Sequence, residues 1–152
     1  MWREQVSQIS KIREEERDRK LNLPTNENEL SRFRKSVVEK IGEDVLPKQY
    51  YEYLQTVNGI EFNGLKIYGI DQFFLDSKPI NQVDSFFDAN DTWGSIKDED
   101  ELIFFGDSDI AWYCYNISKR SFVELDKPSG EHMETFCDFD TMLESAFSAA
   151  LS

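Results

Sequence analysis

The sequence predicts an α+β fold: a mainly antiparallel sheet of about four to six strands, preceded by helices and followed by one helix packed on it. Three observations lead there. Residues 101 to 125, ELIFFGDSDIAWYCYNISKRSFVEL, gather apolar and aromatic residues into short β-type runs separated by turn-forming residues. Up to Val57, by contrast, the apolar residues recur at helical spacing, and they do so again after Asp138. Strands grouped in one stretch, without regular alternation with helices, fit an antiparallel meander with helical cover.

Trp2, Val6, Ile9 and Ile12 define the first predicted helix. The charged run from Arg13 to Lys20 continues it on Glu-to-Arg and Glu-to-Lys pairs three and four residues apart, and Pro24 ends it. Asn26 or Asn28 caps a second helix with the stripe Leu30, Phe33, Val37 and Ile41, and Gly42 stands at its C-terminal cap. Pro47 opens a third, carrying Tyr50, Tyr51, Leu54 and Val57 and closed by Asn58-Gly59. Leu65 to Tyr68 reads as a strand, entered through Asn63-Gly64 and left through Gly69.

From Asp71 to Asp100, the residues Phe73, Phe74, Ile80, Val83, Phe86 and Phe87 suggest a partly helical cover interrupted by Pro79, with Trp93-Gly94 as a loop. Leu102 to Phe105 lacks polar alternation and suits a strand covered on both faces, stopped by Gly106-Asp107-Ser108-Asp109. Ile110 to Tyr115 and Ser121 to Leu125 complete three antiparallel strands, and Met133 to Cys137 adds one more. Asp138 caps the last helix, with Phe139, Met142, Leu143, Ala146, Phe147 and Ala150 inside. Phe104, Trp112, Phe122 and Leu125 are expected in one core beside that helix.

At 152 residues, with 39% apolar residues and 12 Phe, the chain supports one domain with a substantial core. We divide it into an N-terminal helical extension, 1–43, and a core, 44–150. No apolar run is long enough to span a bilayer, and the first residues lack the apolar segment of a signal peptide, so the expected location is cytoplasmic. Cys114 and Cys137 are expected to stay reduced. The charge is uneven: residues 1 to 48 hold 11 Lys/Arg and 10 Asp/Glu, while residues 49 to 152 hold 6 against 20. An acidic body of this kind repels phosphate backbones and anionic lipid, which argues against nucleic-acid and membrane binding and favours basic partners.

Catalytic readings find little support. His132 is the sole histidine and follows a Pro-Ser-Gly turn, a poor setting for a Ser-His-Asp or Cys-His site. Asp107 with Asp109, and the run Asp98-Glu99-Asp100-Glu101, offer paired carboxylates, but so acidic a chain produces such pairs by chance, and Asp107 and Asp109 fit a turn. Asp88 to Glu99 places oxygen-bearing side chains at positions 1, 3, 5 and 12 of a calcium-loop pattern, yet Trp93 stands at position 6, where the turn calls for glycine. No phosphate-binding glycine loop, CxxC pair or HExxH occurs. No cofactor, metal or catalytic residue is therefore expected.

Leu46-Pro47-Lys48-Gln49-Tyr50-Tyr51-Glu52-Tyr53-Leu54, then Val57-Asn58-Gly59 and the strand Leu65-Lys66-Ile67-Tyr68-Gly69, resemble the signature of the SUKH superfamily, in character its YrhA-like branch. Phe104-Phe105-Gly106-Asp107-Ser108-Asp109 before Ala111-Trp112-Tyr113-Cys114-Tyr115 is similar to that family's meander, and Phe136 to Leu143 to its closing helix. The resemblance covers roughly residues 44 to 147. It implies a non-enzymatic protein-binding domain: in bacteria an immunity protein neutralising a toxin encoded nearby, in fungi a regulator of cell-wall synthesis of the Smi/Knr type. Many such toxins are nucleases with basic clefts, which suits the acidic body. The expected partner is thus a basic toxin domain. The alternatives are a regulatory adaptor unconnected with toxins and a carboxylate-using hydrolase. The expected contact residues are Asp84, Asp88, Asp91, Trp93, Asp98, Glu99, Asp100, Asp107 and Asp109.

Overall fold

A computed structural model describes residues 1–17, 20–94 and 101–152. Within them the chain runs α1 (Trp2–Arg17), α2 (Glu27–Ile41), α3 (Lys48–Leu54), β1 (Ile60–Phe62), β2 (Leu65–Ile67), a 3-10 turn (Gln72–Phe74), α4 (Phe86–Gly94), β3 (Leu102–Asp107), β4 (Ala111–Asn116), β5 (Ser121–Asp126), β6 (His132–Phe136) and α5 (Phe139–Leu151). The strands form one sheet in the order β1-β2-β3-β4-β5-β6, and every neighbouring pair is antiparallel. The fold is α+β, with N-terminal helices and a C-terminal helix packed on the sheet.

Local chemistry accounts for most boundaries. Asn26 caps α2 by accepting from the Glu29 N–H, and the Glu29 carboxylate returns the favour to the Asn26 N–H, while Gly42 closes the helix at φ +98°. Asp138 caps α5 through the Thr141 N–H. Asn63 and Gly64 both hold positive φ, the geometry that lets a two-residue turn follow the twist of a hairpin. That turn joins β1 to β2, so Asn63-Gly64 lies inside a hairpin whose first strand, Ile60–Phe62, the sequence pattern does not reveal. Three residues are too few to display a period. Three further boundaries differ from expectation. α1 is described to Arg17 and the chain is no longer helical at Lys20, ahead of the expected stop at Pro24; α3 ends at Leu54, ahead of Asn58-Gly59; and Trp93-Gly94 belongs to α4, not to a loop. The two cysteines are free, Cys114 buried and Cys137 exposed.

The sheet buries both of its faces, unequally. On the first face α1, α2, α3 and α5 enclose Trp2, Ile9, Phe33, Tyr50, Tyr53, Ile103, Phe105, Tyr113, Phe139 and Phe147. The N-terminal helix shares this core: Trp2 Nε1 donates to Asp140 Oδ1 at 2.9 Å, and Gln5 Nε2 reaches the Glu144 carbonyl at 3.1 Å. The second face holds a smaller cluster of Tyr68, Ala89, Phe104, Trp112, Cys114, Val123 and Leu125, covered by α4. The expectation of one core for Phe104, Trp112, Phe122 and Leu125 is corrected here. Phe122 packs 6.2 Å from the Phe139 ring on the α5 side, while the other three face away from α5, because successive strand residues alternate sides.

The second cluster is small, and Trp112 within it is only 2% exposed. Trp112→Ala is therefore expected to lower the unfolding free energy by about 3 to 5 kcal/mol in denaturant titration. An unchanged midpoint would show that the second face is not a packed core.

Candidate functional site: an acidic groove beside α4

The groove is built by the way α4 is fixed to the sheet. Asp71, 16 positions upstream of Phe87, caps the helix from a distance: Oδ1 accepts the Phe87 N–H at 3.0 Å, and Oδ2 accepts the Asp88 N–H at 3.2 Å and the Ser85 hydroxyl at 2.7 Å. A carboxylate there also meets the positive end of the helix dipole. Phe86 and Phe87 then turn toward Phe33 in the first core, with ring centroids 5.4 and 5.6 Å away. Ala89 and Trp93 turn onto the second face. Asn90 fastens the helix to β3, donating to the Phe104 carbonyl at 2.9 Å and accepting the Phe104 N–H at 2.8 Å. It does so where β3 bulges between Phe104 and Gly106.

The space left between α4 and the segment before it is a groove of about 330 Å³, floored by Ile70, Leu75 and Val83 and rimmed by Asp84, Asp88 and Trp93. Three of the expected contact residues thus come together. Asp91 is exposed on the same helix. Asp84 forms an ion pair with Lys66 at 3.3 Å, on the surface. Asp109 is exposed in the β3–β4 turn, over the β1–β2 turn, where a Cβ on Gly64 would sit 3.3 Å from its Oδ2. Asp98, Glu99 and Asp100 lie outside the described residues.

Asp107 is the correction. It is 3% exposed and cannot meet a partner. The bulge in β3 turns it onto the second face, where Oδ2 accepts the Tyr68 hydroxyl at 2.5 Å and Oδ1 the Lys127 ammonium at 3.1 Å. Lys127 also donates to the Ser108 carbonyl at 3.2 Å and stands 4.5 Å over the Trp93 ring. Trp93 is half-buried, edge-on to Trp112 at 5.5 Å, so one side of its ring is committed to the protein and only the remainder lines the groove. A buried carboxylate whose cation and phenol are both in place is structural in kind: removing either partner would strand a buried charge.

The calcium-loop pattern does not assemble among the described residues, because Asp88, Asn90 and Thr92 lie on α4, where successive side chains point around the helix instead of converging. No group of three or more His, Cys, Asp or Glu that could hold a metal occurs among the described residues. Nor is any described helix long and apolar enough to cross a membrane. Phe73, which the sequence pattern placed in the cover, is an exposed aromatic residue that does not itself line the groove. It is 90% exposed, between the groove residues Gln72 and Leu75, with its ring edge-on to buried Phe74 at 5.3 Å.

No family model matches the chain, and no curated protein matches its sequence.

Burial holds Tyr50, Tyr53 and Tyr68 well above the ordinary phenol value of 10, with the Asp107 charge adding to the effect at Tyr68. Burial also pushes Tyr51 and Tyr113 up to about 12. Each folded value lies above the unfolded one, so the stability these neutral phenols provide is complete below pH 10 and is lost as pH rises through 12. Denaturant titrations should therefore show falling stability from pH 10 upward, with tyrosinate absorbance appearing together with unfolding. Constant stability across that range would contradict the burial of these hydroxyls.

Proposed function

We propose that this protein is a non-enzymatic protein-binding module of SUKH type, an immunity protein that neutralises a basic toxin domain, and that the α4 groove is its contact surface. The observation that carries the reading is the grouping of Asp84, Asp88 and Trp93 on one apolar-floored groove, with Asp91 exposed on the same helix and Phe73 exposed between the lining residues Gln72 and Leu75 in sequence, in the part of the chain, residues 49 to 152, that holds 20 Asp/Glu against 6 Lys/Arg. Interfaces are anchored by a few aromatic residues and steered by surrounding charge, and this surface has both. The resemblance of Leu46 to Gly69 and of the Phe104-to-Tyr115 meander to the SUKH superfamily supports the same reading. So does the site's chemistry: the Asp107 carboxylate already has Lys127 and Tyr68 as partners and is shielded from solvent.

Binding measured against a basic toxin domain should show an association rate that falls steeply with salt and a dissociation rate that changes less, since steering acts through screened long-range charge. Asp91→Lys with Asp109→Lys should slow association without unfolding the domain, exposed substitutions usually shifting stability by less than about 0.5 kcal/mol. Phe73→Ala should instead speed dissociation. Association indifferent to salt, with both sets of variants binding as the parent does, would remove this groove as the contact.

A further inference from the structure

The two edges of the sheet are finished differently. At β1 the edge is three residues long, and the Arg13 guanidinium donates to the Glu61 carbonyl at 2.9 Å. At β6 it is five residues, His-Met-Glu-Thr-Phe, with the first four exposed. Asp126 N–H donates to the Glu131 carbonyl at 2.8 Å, so along regular β5 the residues Glu124 and Phe122 also face β6, and Val123 faces β4. Thr135, opposite Val123, therefore turns its N–H and C=O outward. Among the described residues, no backbone group outside the sheet bonds to residues 132–136.

Such edges are usually blunted by lysine, proline, brevity, a bulge or a cover; β6 carries a bulge at Met133, at one end of the strand, and among the described residues none of the others. Its one charge, Glu134, lies directly opposite Glu124. Like charges in that position are destabilising, and among the described residues no Lys or Arg forms an ion pair with either. Burial first and Glu134 second hold the Glu124 carboxyl above its ordinary value. On the other face, His132 and Thr135 border a depression of about 370 Å³ floored by Leu102, Val123 and Leu125.

We propose that β6 accepts a seventh strand from a protein partner: an extended segment of alternating basic and apolar residues, its basic side chains over Glu134 and Glu124 and its apolar ones over the depression beside His132 and Thr135. This rests on the protein-binding reading but not on the α4 groove. Backbone pairing supplies the affinity and the two faces supply the selectivity. A second copy of this chain is a poor occupant, because two-fold pairing of β6 with β6 brings both Glu124–Glu134 pairs onto one face with no counter-charge.

The test uses the full chain and a blocked peptide of alternating lysine and valine, with the glutamate–valine peptide for comparison. The lysine peptide should bind saturably and slow amide exchange at Thr135, while the glutamate peptide should not bind. Glu134→Lys, which leaves the backbone intact, should weaken the lysine peptide by about tenfold, an attractive cross-strand pair having become a repulsive one. Thr135→Pro should abolish binding; its N–H points away from β5, so the existing ladder keeps its bonds. Failure to bind, full binding by Thr135→Pro, or a Thr135 amide already protected by dimerisation of the free chain would overturn the proposal. Protection confined to α4 would uphold the acidic groove and overturn the strand site.

Discussion

Asn58 and Gly69 hold three parts of this protein against one another. The Asn58 Oδ1 accepts the Ile70 N–H at 2.8 Å, and its own carbonyl accepts from Asn22 Nδ2 at 2.9 Å. Gly69 lies so close that a Cβ on it would meet Asn58 Oδ1 at 2.6 Å. Gly59, at φ +85°, lets the chain turn back beside it, where a Cβ would meet the Gly69 nitrogen at 2.9 Å. Gly69 in turn accepts the Phe86 N–H at 2.8 Å through its carbonyl. The departure from α3, the return of the first hairpin and the start of α4 therefore meet at one contact between backbones. The Asn-Gly and terminal-Gly pattern is thus a packing requirement, with no ligand chemistry needed to explain it.

From that junction the placement of α4 follows, and with it the character of the second face. A helix capped by Asp71 and fastened by Asn90 has little freedom to shift, so its apolar side must close on Phe104 and Trp112 and its acidic side must face solvent. The buried Asp107–Lys127 pair lies under this cover, with Tyr68 and Trp93 completing its surroundings. A pair of this kind contributes less to net stability than to fixing one arrangement, in that alternatives leave a charge unmatched. The rigid acidic rim of the groove is a consequence of that fixation.

How much of this was legible in the sequence depended on period and length. The meander from Leu102 to Leu125 and the helix after Asp138 were readable because each displays several repeats of its own spacing. The hairpin strand Ile60–Phe62 was not, being shorter than two full periods. α4 was obscured because its nine residues serve two cores at once, Phe86 and Phe87 on one side and Ala89 and Trp93 on the other, so no single apolar stripe forms. Of the site, Asp84, Asp88, Asp91, Trp93 and Asp109 could be chosen as polar or aromatic residues outside the evident core. Asp107 could not be separated from Asp109 by spacing: both flank a turn, and the bulge that buries one of them is a register effect seen only in three dimensions. Phe73 was hidden for the opposite reason, as an aromatic residue counted inward by type alone.

The backbone contact at Gly69 positions α4 and therefore the acidic groove. Gly69→Ala tests it most directly, read by denaturant titration together with the near-ultraviolet circular dichroism of the Trp93–Trp112 pair. A stability loss of about 2 kcal/mol or more is expected, the range that follows when a methyl group is forced into a packed site, with a diminished tryptophan signal as α4 loosens. Parent-like stability and an unchanged tryptophan signal would contradict it.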